Sequence, residues 1–403
     1  MKFAQSIDFA DVDAAERTTS SAKDPVPHSL HGLDVVPGFS HGEQESGNLV
    51  IHGDNLSVME SLLTVYECAV KCIYIDPPYN NGEIFTHYSD RMSHDEWISS
   101  LKKRAEIVRR LLAEDGSFWV SIDDGGMHYL KVAFDEVFGR ENFVSTIAWE
   151  HRTTRENRKV LSSNHEYILL YAKNYSAFKN ARNKLPLTEE VLSRYKNPDN
   201  DPRGPWQSVS ANVQAGHATA SQFYEIVGPT GKVHTPPAGR CWIYSKEKME
   251  FEISQNNIWF GRSGAGVPRV KKFLTSESAG AGLTPSTLWL ADEVGTTDHA
   301  KKHLKKIFDC KIPFDTPKPE SLIKRILHIS TNPGDLVLDA YLGSGTTASV
   351  AHKMKRKYIG IENGEHAMSY CAQRLKAVIE GESLGISKDV GWSGGGGFTF
   401  LKK

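Results

Sequence analysis

The chain has 403 residues, 39% of them hydrophobic and 24% charged, and its formal net charge is −1. This is the composition of a globular protein with a large core, and it excludes a disordered or fibrous chain. No run approaches the length of a membrane span and the polar N-terminus carries no secretory pattern, so a cytoplasmic location with no membrane partner is expected.

Residues 1–46 hold three Lys/Arg against eight Asp/Glu together with Pro25, Pro27 and Pro37. They read as an acidic arm, partly helical over 8–18 and ending in a flexible stretch over 38–47. Residues 47–150 alternate strand and helix, which implies a parallel sheet. A strand from Asn48 ends at the turn Gly53-Asp54-Asn55, and Val58, Leu62 and Tyr66 then recur at helical spacing. Asp54 suits a helix cap, and equally an acceptor for an amino group. The apolar strand 72–75 ends in Asp76-Pro77-Pro78-Tyr79, where two prolines stop the ladder and force a stiff, extended exit. Ser93-x-x-Glu96 is a capping box that opens a helix with Trp97, Leu101 and Val108 on one face. Strand 117–122 and a further helix follow.

From about Trp149 the alternation stops, and residues 151–313 read as an inserted lobe. Residues 151–200 hold ten Lys/Arg against five Asp/Glu, including Arg152, Arg155, Arg158 and Lys159. Arg262, Arg269, Lys271 and Lys272 form a second basic cluster among scattered aromatics. Such a distribution suits a phosphate-contacting surface for nucleic acid; a solvated charged face is the competing reading. His299 and His303 stand four apart, but no third ligand is near in sequence and no metal is expected. Cys68, Cys72, Cys241, Cys310 and Cys371 contain no Cys-x-x-Cys pair, which predicts reduced structural thiols.

The βα rhythm returns over 314–385, with a helix carrying Leu322 and Ile326, strand 336–339, a loop from Ala340 to Thr347, a helix, strand 358–362 and an amphipathic helix over 364–380. Residues 386–403 read as a C-terminal tail made flexible by Gly394 to Gly397.

Two turns carry the chemistry. Asp76 and the Pro77 carbonyl are both acceptors, and an aromatic amine offers two N–H donors; Tyr79 adds a π-face for a planar base. Gly343 and Gly345 lie between a strand and a helix, where missing side chains let a ligand approach the backbone. A Walker loop needs a lysine that is absent here; a dinucleotide fingerprint needs a third glycine where Ala348 stands, and that reading survives because Ala is tolerated there. S-adenosyl-L-methionine, which carries no phosphate, is the third reading, and Glu362 stands at the position suited to a ribose diol in either case. A dehydrogenase has no use for Asp-Pro-Pro-Tyr, so the joint occurrence of the two turns decides for a methyl donor.

The order Asp76-Pro-Pro-Tyr-Asn-Asn-Gly, inserted lobe, Asp339-x-Tyr-x-Gly-Ser-Gly-Thr-Thr resembles the circularly permuted beta group of DNA amino-methyltransferases. With His165-Glu-Tyr-Ile-Leu, Trp289-Leu-Ala-Asp-Glu-Val-Gly and Phe314-Asp-Thr-Pro-Lys-Pro, it is similar over 47–400 to the modification subunits of type III restriction-modification systems. Tyr341 departs from the family's usual Phe, and the chain is short for such a subunit. The resemblance implies an α/β, Rossmann-like, mostly parallel seven-stranded sheet with helices on both faces and an inserted target-recognition lobe. It implies base flipping and methylation of the 6-amino group of adenine in double-stranded DNA. Asp76, Pro77, Pro78 and Tyr79 would form the catalytic turn. Asp54, Asn55, Phe314, Thr316, Lys318, Asp339, Tyr341, Gly343, Ser344, Gly345, Thr346, Glu362 and Asn363 would border the donor, with Lys318 near its carboxylate. A restriction subunit and a second copy of the chain are further candidate partners. Relatives acting on the 4-amino group of cytosine usually have Ser at the position of Asp76. A catalytically idle DNA-binding regulator is the alternative of another class, and intact Asp76, Tyr79, Gly343 and Glu362 argue against it.

Overall fold

The computed structural model describes residues 30, 32–43, 46–82, 92–157, 160–274, 282–308 and 314–403. It divides into two compact units, one of residues 1–181 with 287–403 and the other of residues 182–286.

The larger unit is built on one sheet. Its strands are β1 (Asp34–Val35), β2 (His41–Gly42), β3 (Leu49–His52), β4 (Val70–Ile75), β5 (Leu112–Ile122), β6 (Phe143–Glu150), β7 (His165–Ala172), β8 (Leu288–Trp289), β9 (Leu336–Asp339), β10 (Lys357–Glu362) and β11 (Gly397–Lys402). They pair in the order β1-β11-β3-β10-β9-β4-β5-β7-β6-β8, with β2 also on β11. Pairing is parallel except where β7 runs against β5 and β6 and where β1 and β2 run against β11.

Alternation along the strands puts helices on both faces. Ile73 and Ile75 of β4 and Phe118 and Val120 of β5 join a cluster with Val58 and Leu62 of helix α1 (Asn55–Tyr66), Trp97 and Leu101 of α2 (His94–Leu111) and Leu130 of α3 (Asp124–Phe138). Cys72 and Tyr74 face the other way, in register with Ser117 and Trp119. There the Ser117 hydroxyl and the Trp119 indole meet Ser330 of helix α4 (Glu320–Ser330) at 3.1 and 2.9 Å. The capping box forms as the spacing predicts: Ser93 Oγ accepts from the Glu96 amide, and the Glu96 carboxylate accepts from the Ser93 amide. A cap of this kind stabilises a helix by about 1 kcal/mol.

The smaller unit has its own core of Trp242, Met249, Ile258, Phe260 and Val270. A three-stranded antiparallel sheet (Ile258–Trp259, Arg269–Phe273, Trp206–Ser210) and two short strand pairs surround it.

Several expectations need correction. The separate unit spans 182–286, and not 151–313, because strand β7 pairs with both β5 and β6, and residues 287–308 add β8 to the sheet edge. The sheet has eleven strands, seven of them (β3 to β6 in pairing order) in the expected core. The four extra strands come from segments read as arm, lobe and tail; three are runs of two residues that give no periodicity to read, and the fourth, β11, follows a glycine run.

The C-terminal segment is no flexible tail, since Phe398, Phe400 and Leu401 of β11 are fully buried beside β3. Nor is 38–47 wholly loose, because β2 pairs with β11 so closely that a Cβ on Gly42 would lie 2.2 Å from the Gly396 carbonyl. The proposed helix over 8–18 lies outside the described residues. The final helix contains a π turn over Ala367–Ala372 before regular α geometry over Gln373–Ile379.

Candidate active site

Strands β4 and β9 are neighbours and parallel, with Asp339 in register with Tyr74. Their exits therefore lie side by side at the carboxyl edge of the sheet, where open α/β folds bind ligands. Asp76, Phe314, Thr316, Lys318, Asp339, Tyr341, Gly343, Ser344 and Thr346 line one cleft there.

Lys318 organises the β4 side. Its buried ammonium donates to Asp76 Oδ2 at 2.7 Å and to the Tyr79 hydroxyl at 3.2 Å, and lies 3.6 Å from Glu166 Oε2. The Tyr79 hydroxyl lies 2.9 Å from Asp76 Oδ1 and 3.1 Å from Glu166 Oε2. Trp97 donates to the Pro78 carbonyl at 2.8 Å, which ties the proline turn to α2. Burial pushes the Asp76 carboxyl up, and Glu166 adds to the rise while Lys318 opposes it. Burial works against the Lys318 charge, yet the Asp76 and Glu166 carboxylates outweigh it and hold the ammonium above its ordinary value. The Lys318 ammonium is thus bound to Asp76, where the resemblance had placed it beside the donor's carboxylate.

On the β9 side, Gly343 and Gly345 take φ of +55° and +80°, conformations that cost an L side chain. A Cβ on Gly345 would also lie 3.2 Å from Cys371 Cα in the π turn, whose thiol reaches the Gly343 carbonyl at 3.0 Å. Asp339 is buried and accepts from the Tyr341 amide at 2.9 Å. Burial, with Asp76 and Glu362 nearby, drives its carboxyl up to about 7.

The remaining site residues surround this cleft without lining it. Glu362 accepts from the amides of Gly343 and Gly364 at 2.8 and 3.0 Å and pairs with His366 at 3.0 Å. Burial would raise Glu362, but His366 and the two amides more than offset it. Asn363 is exposed. Asp54 caps α1 through the Ser57 amide at 3.0 Å and lies 3.6 Å from Arg104. Asn55 donates to the Ala340 carbonyl at 2.8 Å and accepts from Arg104 Nε at 2.6 Å, which fastens α1 to the glycine turn.

Glu166, His151 and Arg104 were not anticipated as site residues. Glu166 stands in the His165-Glu-Tyr-Ile-Leu motif and opens an otherwise apolar strand, but nothing there assigned it a role in the site, and Arg104 sits unremarked on the polar face of a helix.

The basic candidates divide. Arg155, Arg262, Arg269 and Lys272 are exposed, and Arg152 is half-buried beside Glu156. Arg158 and Lys159 lie outside the described residues. Lys271 is fully buried between Asp199 and Asp201 and stacks near Trp206 and Trp259, so it serves the smaller unit's interior and not a phosphate surface. His299 and His303 do not converge: His299 accepts from the Thr296 amide, while His303 lies near Glu320 and Glu382. Lys353 and Arg374 already neutralise those carboxylates.

The cleft's chemistry fits a cationic methyl donor. Asp76 and Asp339 line the cleft, and the one lysine there is paired with Asp76 and Glu166, so carboxylates outnumber ammonium, an arrangement that a sulfonium would relieve. Phe314 and Tyr341 supply apolar walls and the glycine turn a close backbone.

Residues 70–373 match the family model described as DNA methylase. Among curated proteins, the chain is 31% identical over 411 residues to a probable type III restriction-modification enzyme HindVI Mod subunit of Haemophilus influenzae, covering 88% of this chain and 54% of that one. It is 32% identical over 349 residues to the StyLTI Mod subunit of Salmonella typhimurium, covering 78% and 52%. The DNA adenine methyltransferase YhdJ of Escherichia coli is 25% identical over 351 residues, covering 84% and 90%. The chain spans about half the length of these two Mod subunits.

Proposed function

Since the chain belongs to the DNA methylase family, we propose that it transfers a methyl group from S-adenosyl-L-methionine to the 6-amino group of adenine in double-stranded DNA. The observation that carries this reading is the shared cleft, in which the Asp76 turn of β4 and the glycine turn of β9 meet at the ends of adjacent parallel strands.

S-adenosyl-L-methionine, when bound, supplies an electrophilic methyl group on a cationic sulfur. Phe314, Thr316, Asp339, Tyr341, Gly343, Ser344 and Thr346 would hold it. Asp76 and the Pro77 carbonyl accept the amine's two N–H bonds, which turns the nitrogen lone pair toward the methyl carbon. Lys318 and the Tyr79 hydroxyl fix the Asp76 carboxylate in place, and the Tyr79 ring supports a base turned out of the duplex. An Asp is too weak a base to strip an aryl amine before attack, so Asp76 orients first and takes the proton as the new bond forms.

Adenine is favoured over cytosine by Asp76 itself and by the likeness to YhdJ. The smaller unit, with Arg262, Arg269 and Lys272 exposed, is the part assigned to DNA recognition. The likeness to Mod subunits supports a restriction-modification setting, with a restriction subunit or a second copy as partner. No described helix is long and apolar enough to cross a membrane.

Sequencing that reports modified bases in DNA from cells expressing the protein tests the reading. Methylated adenine at one short motif supports it, and DNA with no new modification overturns it.

A further inference from the structure

We infer that Glu166 acts through Asp76 as a positioning residue: the two carboxylates, bridged by the Tyr79 hydroxyl and flanked by Lys318, together hold the proton that leaves the amine. This rests on the methyl-transfer reading above.

The geometry is a closed set of four groups. One hydroxyl hydrogen serves two acceptors, Asp76 Oδ1 at 2.9 Å and Glu166 Oε2 at 3.1 Å. One ammonium lies 2.7 Å from Asp76 and 3.6 Å from Glu166. Two carboxylates against one lysine leave the set with a single negative charge, with the Lys318 ammonium 5.9 Å from the Trp149 ring.

That charge has a use in the reaction. The amine's lone pair forms the N–C bond, the C–S bonding pair returns to sulfur, and the positive charge passes from sulfur to nitrogen. The nitrogen then releases a proton to Asp76. A set carrying −1 is neutral with a sulfonium present, and neutral again when it holds the proton in the sulfonium's place. Without Glu166 the set would start neutral, and Asp76 would be a poorer acceptor.

The neighbours leave this balance intact. Tyr74 and Tyr79 on β4 and its turn are neutral phenols pushed well above their ordinary values by burial. His151 Nδ1 lies 3.5 Å from Glu166 Oε1, and burial holds the imidazole below its ordinary value, so it does not cancel Glu166 near pH 7. Arg152 is paired with Glu156, and Asp339 on β9, its carboxyl raised to about 7 by burial, is in part protonated near pH 7.

The test is a 13C titration of the Asp76 carboxyl in the full chain, with Asp76→Asn as the assignment control, alongside single-turnover methyl transfer as a function of pH. Glu166→Gln should lower the apparent Asp76 pKa by about one unit. The acid limb of the rate should move with it, and the plateau should fall about tenfold. Glu166→Asp keeps the charge and should leave the titration near wild type, and melting curves check that both variants fold. An unshifted Asp76 titration in Glu166→Gln, or an equal shift in Glu166→Asp, overturns the inference. If wild type transfers methyl groups while the titration stays put, only this inference fails. If the titration shifts but no methyl is transferred at any pH, the functional reading fails and takes the proton-holding role with it.

Discussion

Lys318 Nζ lies 2.7 Å from Asp76 Oδ2, although 242 residues separate them in the chain. The contact closes the candidate site: it joins the turn after β4 to the segment that enters α4, and it sets the charge of the carboxylate that would face the amine.

Lys318→Met leaves Asp76 buried with Glu166 and without its cation. The Asp76 carboxyl is already raised by burial, and removing the ammonium raises it further, so less of it is ionised near pH 7. Single-turnover transfer should fall about 100-fold at neutral pH and recover in part as pH rises. An acid limb at its wild-type position would show that Lys318 does not govern Asp76.

Lys271 and its exposed neighbours should separate in a salt titration of DNA binding. Arg269→Ala and Lys272→Ala each remove an exposed charge and should reduce the slope of log affinity against log salt by about 1 if they touch phosphate. Lys271→Met strands Asp199 and Asp201 in the interior and should cost about 3 kcal/mol of unfolding stability with no change of slope. A lower slope in Lys271→Met would reverse the assignment.

The buried cluster beneath α4 predicts a particular response to acid. Glu320 accepts from Lys353 at 2.8 Å and from Arg374 at 3.0 Å, and these cations overcome burial to hold its carboxyl down at about 2. Burial, with Arg374 nearby, pushes the His303 imidazole down to about 4. Below the unfolded His value of about 6.5 the unfolded chain binds the proton that folded His303 refuses, so stability falls as pH drops from there toward 4. Glu320's contribution is full above its unfolded value of about 4.3 and is lost as pH falls toward 2. Urea unfolding at pH 6.5 and 4.5 should show a smaller loss in His303→Gln than in wild type. Equal losses would place the acid-sensitive group elsewhere.

Phe400→Ala tests the C-terminal strand. Its ring is buried beside β3, and truncation should cost about 3–4 kcal/mol in denaturant unfolding. A loss below about 1 kcal/mol would mean that β11 is a marginal edge.

What could be read from the chain follows from the range over which each signal acts. The Ser93/Glu96 box, the proline turn after β4 and the glycine turn after β9 are local grammar, and each forms where its residues require it. The adjacency of the two turns followed from βα alternation, which confines strand exits to one edge. The pairing of Lys318 with Asp76 and Glu166 was not visible, because a lysine in a proline-flanked loop carries no mark of its distant partner. Lys271 misled for the same reason: its neighbours Arg269 and Lys272 are exposed, and the carboxylates that bury it lie some seventy residues earlier. The terminal strand was hidden by the glycines before it, which suggested looseness but make the tight turn that lets β11 reach β3.

The most direct measurement incubates the protein with S-adenosyl-L-methionine labelled in its methyl group and duplex DNA, then digests the DNA and identifies the labelled nucleoside. The account predicts label on the 6-amino group of adenine with wild type and none with Asp76→Ala, while Asp76→Ala still binds the donor by calorimetry. Label on cytosine, or undiminished transfer by Asp76→Ala, would contradict it.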